Sequence, residues 1–204
     1  MRWFACVLLL VVAVGVRAEE VFLIPENNPR PIYPPALQRA GITGDVRVRF
    51  TVSSDGSVSK VSILQSDHPD LAEAVRVAIE QWRFKSWAVE GDKPTELVVI
   101  APMAFSLGSD TSLHTNQWLK ELRCRDLNES LVDFPEHGWV DSSVFHYTRA
   151  YLSNTFIKHQ LSNEQRLALI TKLNKRVPKI VRDCRASPVR KYMSLLPEEI
   201  RKLL

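Results

Sequence analysis

Glycine is scarce in this 204-residue chain: there are seven, and none belongs to a G-x-G-x-x-G or G-x-x-x-x-G-K-[ST] pattern. A backbone loop that cradles phosphate is therefore not expected. Cysteine is scarcer, with three residues and no C-x-x-C, which argues against a dithiol redox centre. The five histidines include no pair at zinc-ligand spacing; His137 and His146 are nine apart, with no cysteine or histidine at ligand spacing from either. No G-x-S-x-G turn presents a nucleophile, and Ser-Asp-Thr-Ser at 109–112 and Val-Asp-Ser-Ser at 140–143 read as caps and turns. Neither metal nor cofactor is expected, and an enzyme would need a site assembled only in the fold.

Long hydrophobic runs are missing as well. The longest, Trp3 to Val16, has 14 residues, short of the roughly 20 that span a bilayer as a helix. It follows Arg2 and precedes Val16-Arg17-Ala18, the layout of a secretory signal peptide cut after Ala18. The mature chain is then expected in an exported compartment, starting at Glu19. An uncleaved anchor is the alternative. Cleavage leaves Cys124 and Cys184, which export makes a candidate disulfide. Charge is uneven: Glu19 to Asp110 carries 9 basic and 13 acidic residues, and Thr111 to Leu204 carries 16 and 10. Two units with different surfaces are implied. Nucleic acid is not an expected partner of an exported protein.

The first unit, residues 29–107, changes period along its length. Tyr33-Pro34-Pro35 opens a short helix, because proline is tolerated in the first turn. Val46, Val48, Phe50 and Val52 alternate with polar residues as in a strand with one wet face. Asp55-Gly56 marks a turn, and Val58, Val61 and Ile63 form a second strand whose three-residue step predicts a bulge. Leu71, Ala74, Val75, Ala78, Ile79 and Trp82 fall at helical spacing behind a cap at Asp67 or His68. Trp82 and Phe84 read as core anchors, and Trp87 as the more exposed aromatic. Residues 95–107 form a third, nearly continuous apolar strand, in which Pro102 requires a sheet edge or a bulge.

This order of Tyr33-Pro34, Gly44, the alternating strand, Asp55-Gly56, Trp82-Arg83-Phe84 and the Gly91/Pro94 loop resembles the TonB C-terminal domain family. The resemblance covers about residues 31–107. It implies an envelope protein of double-membraned bacteria and a small α+β fold, a three-stranded antiparallel sheet with two helices. It also implies that an extended segment of an envelope partner, such as an outer-membrane receptor, pairs with the third strand. Val98, Val99, Ile100, Ala101, Met103 and Phe105 are the expected partner-binding residues, with Val98, Ile100 and Met103 setting selectivity. Energy-transducing members resemble one another in an N-terminal membrane helix with a histidine that contacts ExbB–ExbD, and in a long proline-rich spacer. Here no histidine precedes His68, Ser86 stands where the family often has proline, and only Glu19 to Arg30 leads into the domain. Twelve residues reach at most about 40 Å. A periplasmic binding or adaptor protein is thus expected. The alternative is an inner-membrane-anchored transducer facing the periplasm, with ExbB–ExbD as partner.

Residues 113–204 read as a helical unit. Ser162-Asn163-Glu164-Gln165 is a capping box leading a stripe of Ile170, Leu173 and Val177. Pro178 is expected to end or kink that helix. Ser187-Pro188 and Leu196-Pro197 read as further helix starts. The basic run over 172–191 reads as a solvated face or a surface for anionic lipid, lipopolysaccharide or an acidic partner.

Overall fold

The computed structural model describes residues 21–91, 93–108 and 115–204. The signal-peptide expectation at 1–18 lies outside them. The chain runs β1 (Pro25–Asn27), α1 (Pro35–Ala40), β2 (Gly44–Ser53), β3 (Val58–Ser66), α2 (Pro69–Ile79), β4 (Arg83–Phe84) and β5 (Glu96–Phe105). There follow α3 (Thr115–Glu121), α4 (Cys124–Glu129), a 3-10 helix (Glu136–Asp141), α5 (Ser143–Leu152) and α6 (Thr155–Gln160). Then come α7 (Asn163–Ala186), a second 3-10 helix (Tyr192–Leu195) and α8 (Glu198–Arg201).

The antiparallel sheet has the order β3-β2-β5. The β2 alternation puts Val46, Val48, Phe50 and Val52 in the core, under Leu71, Val75 and Ile79 of α2. His68 caps α2, its Nδ1 accepting from the Asp70 amide at 3.1 Å, while Asp67 instead accepts from the Asp45 amide at 2.8 Å. The predicted bulge lies in β3 beside the turn, where the register steps from Arg49↔Ser62 to Thr51↔Ser59 and Lys60 takes φ 54°. Gly56 (φ 82°) lets the chain pass so close that an added Cβ would lie 1.8 Å from the Phe84 carbonyl oxygen. The Phe84 amide donates to the Gly56 carbonyl there at 3.0 Å.

Sequence patterning did not foresee β1 pairing with β4 in a separate two-stranded ribbon. Trp82 is half-buried against Phe50 and Phe84, with centroids at 5.7 and 6.2 Å, and its indole donates to the Pro29 carbonyl at 2.9 Å. Trp87 is also half-buried and donates to the Pro94 carbonyl at 2.9 Å, whereas Phe84 is buried.

The helical region has its own core, in which Leu127, Phe145, Leu152, Ile170, Leu173, Val177, Ile180 and Tyr192 are buried. Ser162 and Gln165 form the reciprocal capping box at 2.9 and 3.2 Å. Pro178 does not end α7, which continues to Ala186. Burial of Val177, Ile180, Val181 and Cys184 around the proline outweighs the single ladder bond it removes. Ser187 is the C-cap of α7 and Pro188 lies in the following turn, so this pair stops a helix; Pro197 does begin one, as the N-cap of α8. Cys124 and Cys184 are joined by a disulfide that ties the start of α4 to the last turns of α7.

Candidate functional site: an open sheet edge

The two outer strands of the sheet differ in what they offer. β3 has two register shifts and the positive-φ Lys60, features that bend a strand and spoil it as a template. β5 pairs with β2 without a shift from Gly44↔Phe105 to Ser53↔Glu96. Its far side meets no other strand among the described residues.

Which β5 groups face that open side follows from one hydrogen bond. The Thr95 carbonyl accepts from the Ser54 amide at 2.8 Å, so it points toward β2. Backbone groups alternate sides along a strand as side chains alternate faces. Residues 97, 99, 101 and 103 therefore turn N–H and C=O to β2, and 96, 98, 100, 102 and 104 turn theirs outward. Pro102 falls on the outward set, where its missing N–H costs the sheet nothing.

Side chains obey the same parity. Leu97, Val99, Ala101, Met103 and Phe105 lie on the core face, opposite Val52, Phe50, Val48, Val46 and Gly44. Val98 and Ile100 stand on the outer face, 67% and 44% exposed. The expected binding residues thus split between two faces. Met103 lies on the core face, an odd separation of five from Val98, and so does not share the outer face with Val98 and Ile100. Arg47 and Arg49 of β2 lie beside Pro102 and Ile100 on the outer face, a feature not singled out from the sequence. A depression of about 520 Å³ there is lined by Asp45, Val46, Arg47, Gln65, Ile100 and Pro102.

The C-terminal end of β5 is anchored. Phe105 is buried and meets Tyr33 edge-on at 5.2 Å. The Tyr33 hydroxyl donates to the Ile42 carbonyl at 2.5 Å, and burial pushes its pKa up to about 12, which keeps the phenol a donor at neutral pH.

The helical region docks at α1. Asn174 donates to the Arg39 carbonyl at 2.7 Å and Arg166 to the Gly41 carbonyl at 2.8 Å, capping the end of that helix. Arg39 pairs with Asp141 at 3.3 Å, and Arg149 donates to Asn174 at 3.2 Å. Burial lowers the pKa of Arg149, to about 10, against the opposing pull of Asp141, and burial lowers that of Arg166. Polar residues on amphipathic helices read as solvated, so these two arginines gave no sequence signal.

Among the described residues no group of His, Cys, Asp and Glu is arranged to hold a metal. No helix there is long and apolar enough to cross a membrane.

Residues 29–107 are thus an α+β domain with one regular, unpaired edge strand. They match the family of the Gram-negative bacterial TonB protein C-terminal over residues 29–107. "Protein TonB" of Xanthomonas campestris is 38% identical over 83 residues, covering 40% of this chain and 37% of that protein. "Protein TonB" of Helicobacter pylori is 38% identical over 79 residues, covering 38% of this chain and 27% of that protein. The chain therefore spans between about a quarter and a little more than a third of the length of these curated relatives. The solution NMR structure of the Pseudomonas aeruginosa TonB CTD aligns at 29% identity with a TM-score of 0.37, covering 43% of this chain and 89% of that one.

Proposed function

We propose that this protein is a periplasmic TonB-like adaptor that binds an extended segment of an envelope partner, such as an outer-membrane receptor, as a fourth strand on β5. The observation that carries this reading is the regular edge of β5, with Val98 and Ile100 exposed along it and the helical region docked elsewhere, at α1. Backbone bonds would come from residues 98 and 100, and their side chains would sort partners. Binding then takes place without chemistry, and no catalytic role is assigned.

Proline belongs at position 100 in the test, because at 99 it would cut a bond to β2. A photo-crosslinker at Val98 identifies what the edge captures in cells. Ile100→Pro should then weaken capture about tenfold or more, since it removes an outward donor and crowds the incoming strand, with the melting temperature nearly unchanged. A folded Ile100→Pro protein that captures its partner undiminished overturns the reading.

The name shared by the relatives favours a second reading, a membrane-anchored transducer working with ExbB–ExbD. Protein mass separates the two. A chain beginning at Glu19 in the periplasmic fraction is expected; an intact Met1 recovered with membranes would replace the adaptor by the transducer.

A further inference from the structure

Two sets of exposed cations in the helical region contrast in their partners. Lys172, Lys179, Arg182 and Lys202 each face a carboxylate: Glu199 at 2.5 Å, Asp183 at 3.2 Å, Glu136 at 3.5 Å and Glu198 at 2.8 Å. A second group gathers around the disulfide. The chain after α7 lies antiparallel to the start of α4: Cys124 N–H donates to Arg190 C=O at 2.8 Å, Arg125 N–H to Pro188 C=O at 2.9 Å, and Arg123 bridges Lys191. Arg123, Arg125, Arg190 and Lys191 are thereby brought together beside the disulfide, with Arg185 next to Cys184, and all five are exposed. Among the described residues only the Arg125 side chain has a carboxylate partner there, Asp126 at 3.4 Å. Arg185 rests on the Trp139 ring at 4.7 Å, and the Arg190 guanidinium donates to the Ser194 hydroxyl at 3.0 Å. In the loop between them Val189 projects into solvent, 77% exposed.

We infer that this disulfide-braced knob is a second docking surface, independent of the β5 edge, for the anionic headgroups of a phospholipid bilayer. A site for one fixed anion needs guanidinium forks held in place by neighbouring bonds. Here the cations come from three chain segments and no acceptor fixes more than one of them. That arrangement suits a laterally mobile array of phosphates. An apolar side chain standing among cations adds shallow insertion to the electrostatic attraction, as in surface-bound amphipathic segments. The disulfide keeps the two segments in register, so the charges stay gathered with one paired carboxylate, Asp126, among them.

The test uses the mature, oxidised protein and phosphatidylcholine vesicles with and without phosphatidylglycerol, read by co-sedimentation. Binding should require phosphatidylglycerol and fall as salt rises. Arg190→Gln with Lys191→Gln should weaken it about 30-fold, at roughly fivefold per cation removed near the surface. Val189→Ser should weaken it severalfold and remove what survives at high salt. Lys172→Gln with Lys202→Gln changes net charge equally at carboxylate-paired sites and should leave binding unchanged. All these side chains are exposed, so folding is preserved, and melting curves check it. The proposal is overturned by no preference for phosphatidylglycerol, as an acidic protein partner would give, or by equal losses in the two double variants.

Discussion

Replacing Cys124 and Cys184 together by alanine is expected to lower the stability of the helical region by about 4 kcal/mol. The bridge spans 60 residues of sequence, so the unfolded chain loses much freedom when it is closed. Both cysteines are fully buried, and alanine leaves no polar group behind. Native hydrogen bonds around the bridge remain available without it. Asn128 donates to the Cys184 carbonyl at 3.1 Å, and the 122–125 and 188–192 segments still pair. The loss therefore falls mainly on the unfolded side of the equilibrium, and the folded α4–α7 contact should persist at low temperature. Urea unfolding followed by hydrogen exchange of α4, α5 and α7 amides reads this directly. A loss below about 1 kcal/mol would mean that the unbridged chain is already held compact by other contacts. The amides of β2 and β5, which lie in the other core, should barely change.

How much of this was legible in the sequence depended on whether a pattern was local. The Val58–Val61 step gave the bulge, and Ser162 with Gln165 gave the start of α7, because each is settled within four residues. The sheet edge was legible through Pro102, whose tolerance depends on a missing neighbour. Parity was legible too, yet the apolar run of 97–105 hides it, since hydrophobic residues occupy both faces. The pairing of Pro25–Asn27 with Arg83–Phe84 was not legible; two short segments about 57 residues apart carry no alternation. Pro178 does not end α7, because its cost is local while the compensating burial of Val177, Ile180 and Val181 comes from tertiary packing. The arginines of the α1 seam were the least legible. A buried guanidinium has the same sequence signature as a solvated one, and only its distant acceptors make the difference: the Gly41 carbonyl for Arg166, the Val140 carbonyl and Asn174 for Arg149.

That seam yields the other large effect: Arg166→Leu is expected to destabilise the docking of the two regions by about 3 kcal/mol. Arg166 is 2% exposed and its guanidinium reaches three acceptors: the Gly41 carbonyl at 2.8 Å, the Ser153 hydroxyl at 2.9 Å and the Asn163 amide oxygen at 2.6 Å. Leucine fills comparable space but leaves those acceptors unbonded, which outweighs relief of the buried charge. Arg166→Lys should not restore docking, because an ammonium lacks the planar fork that serves several acceptors at once. Gly41→Ala attacks the same seam from the other side. At φ 75° an added Cβ is strained, and it would lie 2.3 Å from Ile170 Cδ1 and 3.3 Å from Arg166 Nη1. If both substitutions act by separating α1 from α7, the double variant should cost less than the two single costs added together. Hydrogen exchange carries the test across the junction. Arg166→Leu, made in α7, should speed exchange at the amide of Ile42, which donates to the Leu37 carbonyl at the end of α1. Unchanged exchange there, with additive costs in the double variant, would show that Arg166 stabilises only its own helix and that the two regions hold together without it.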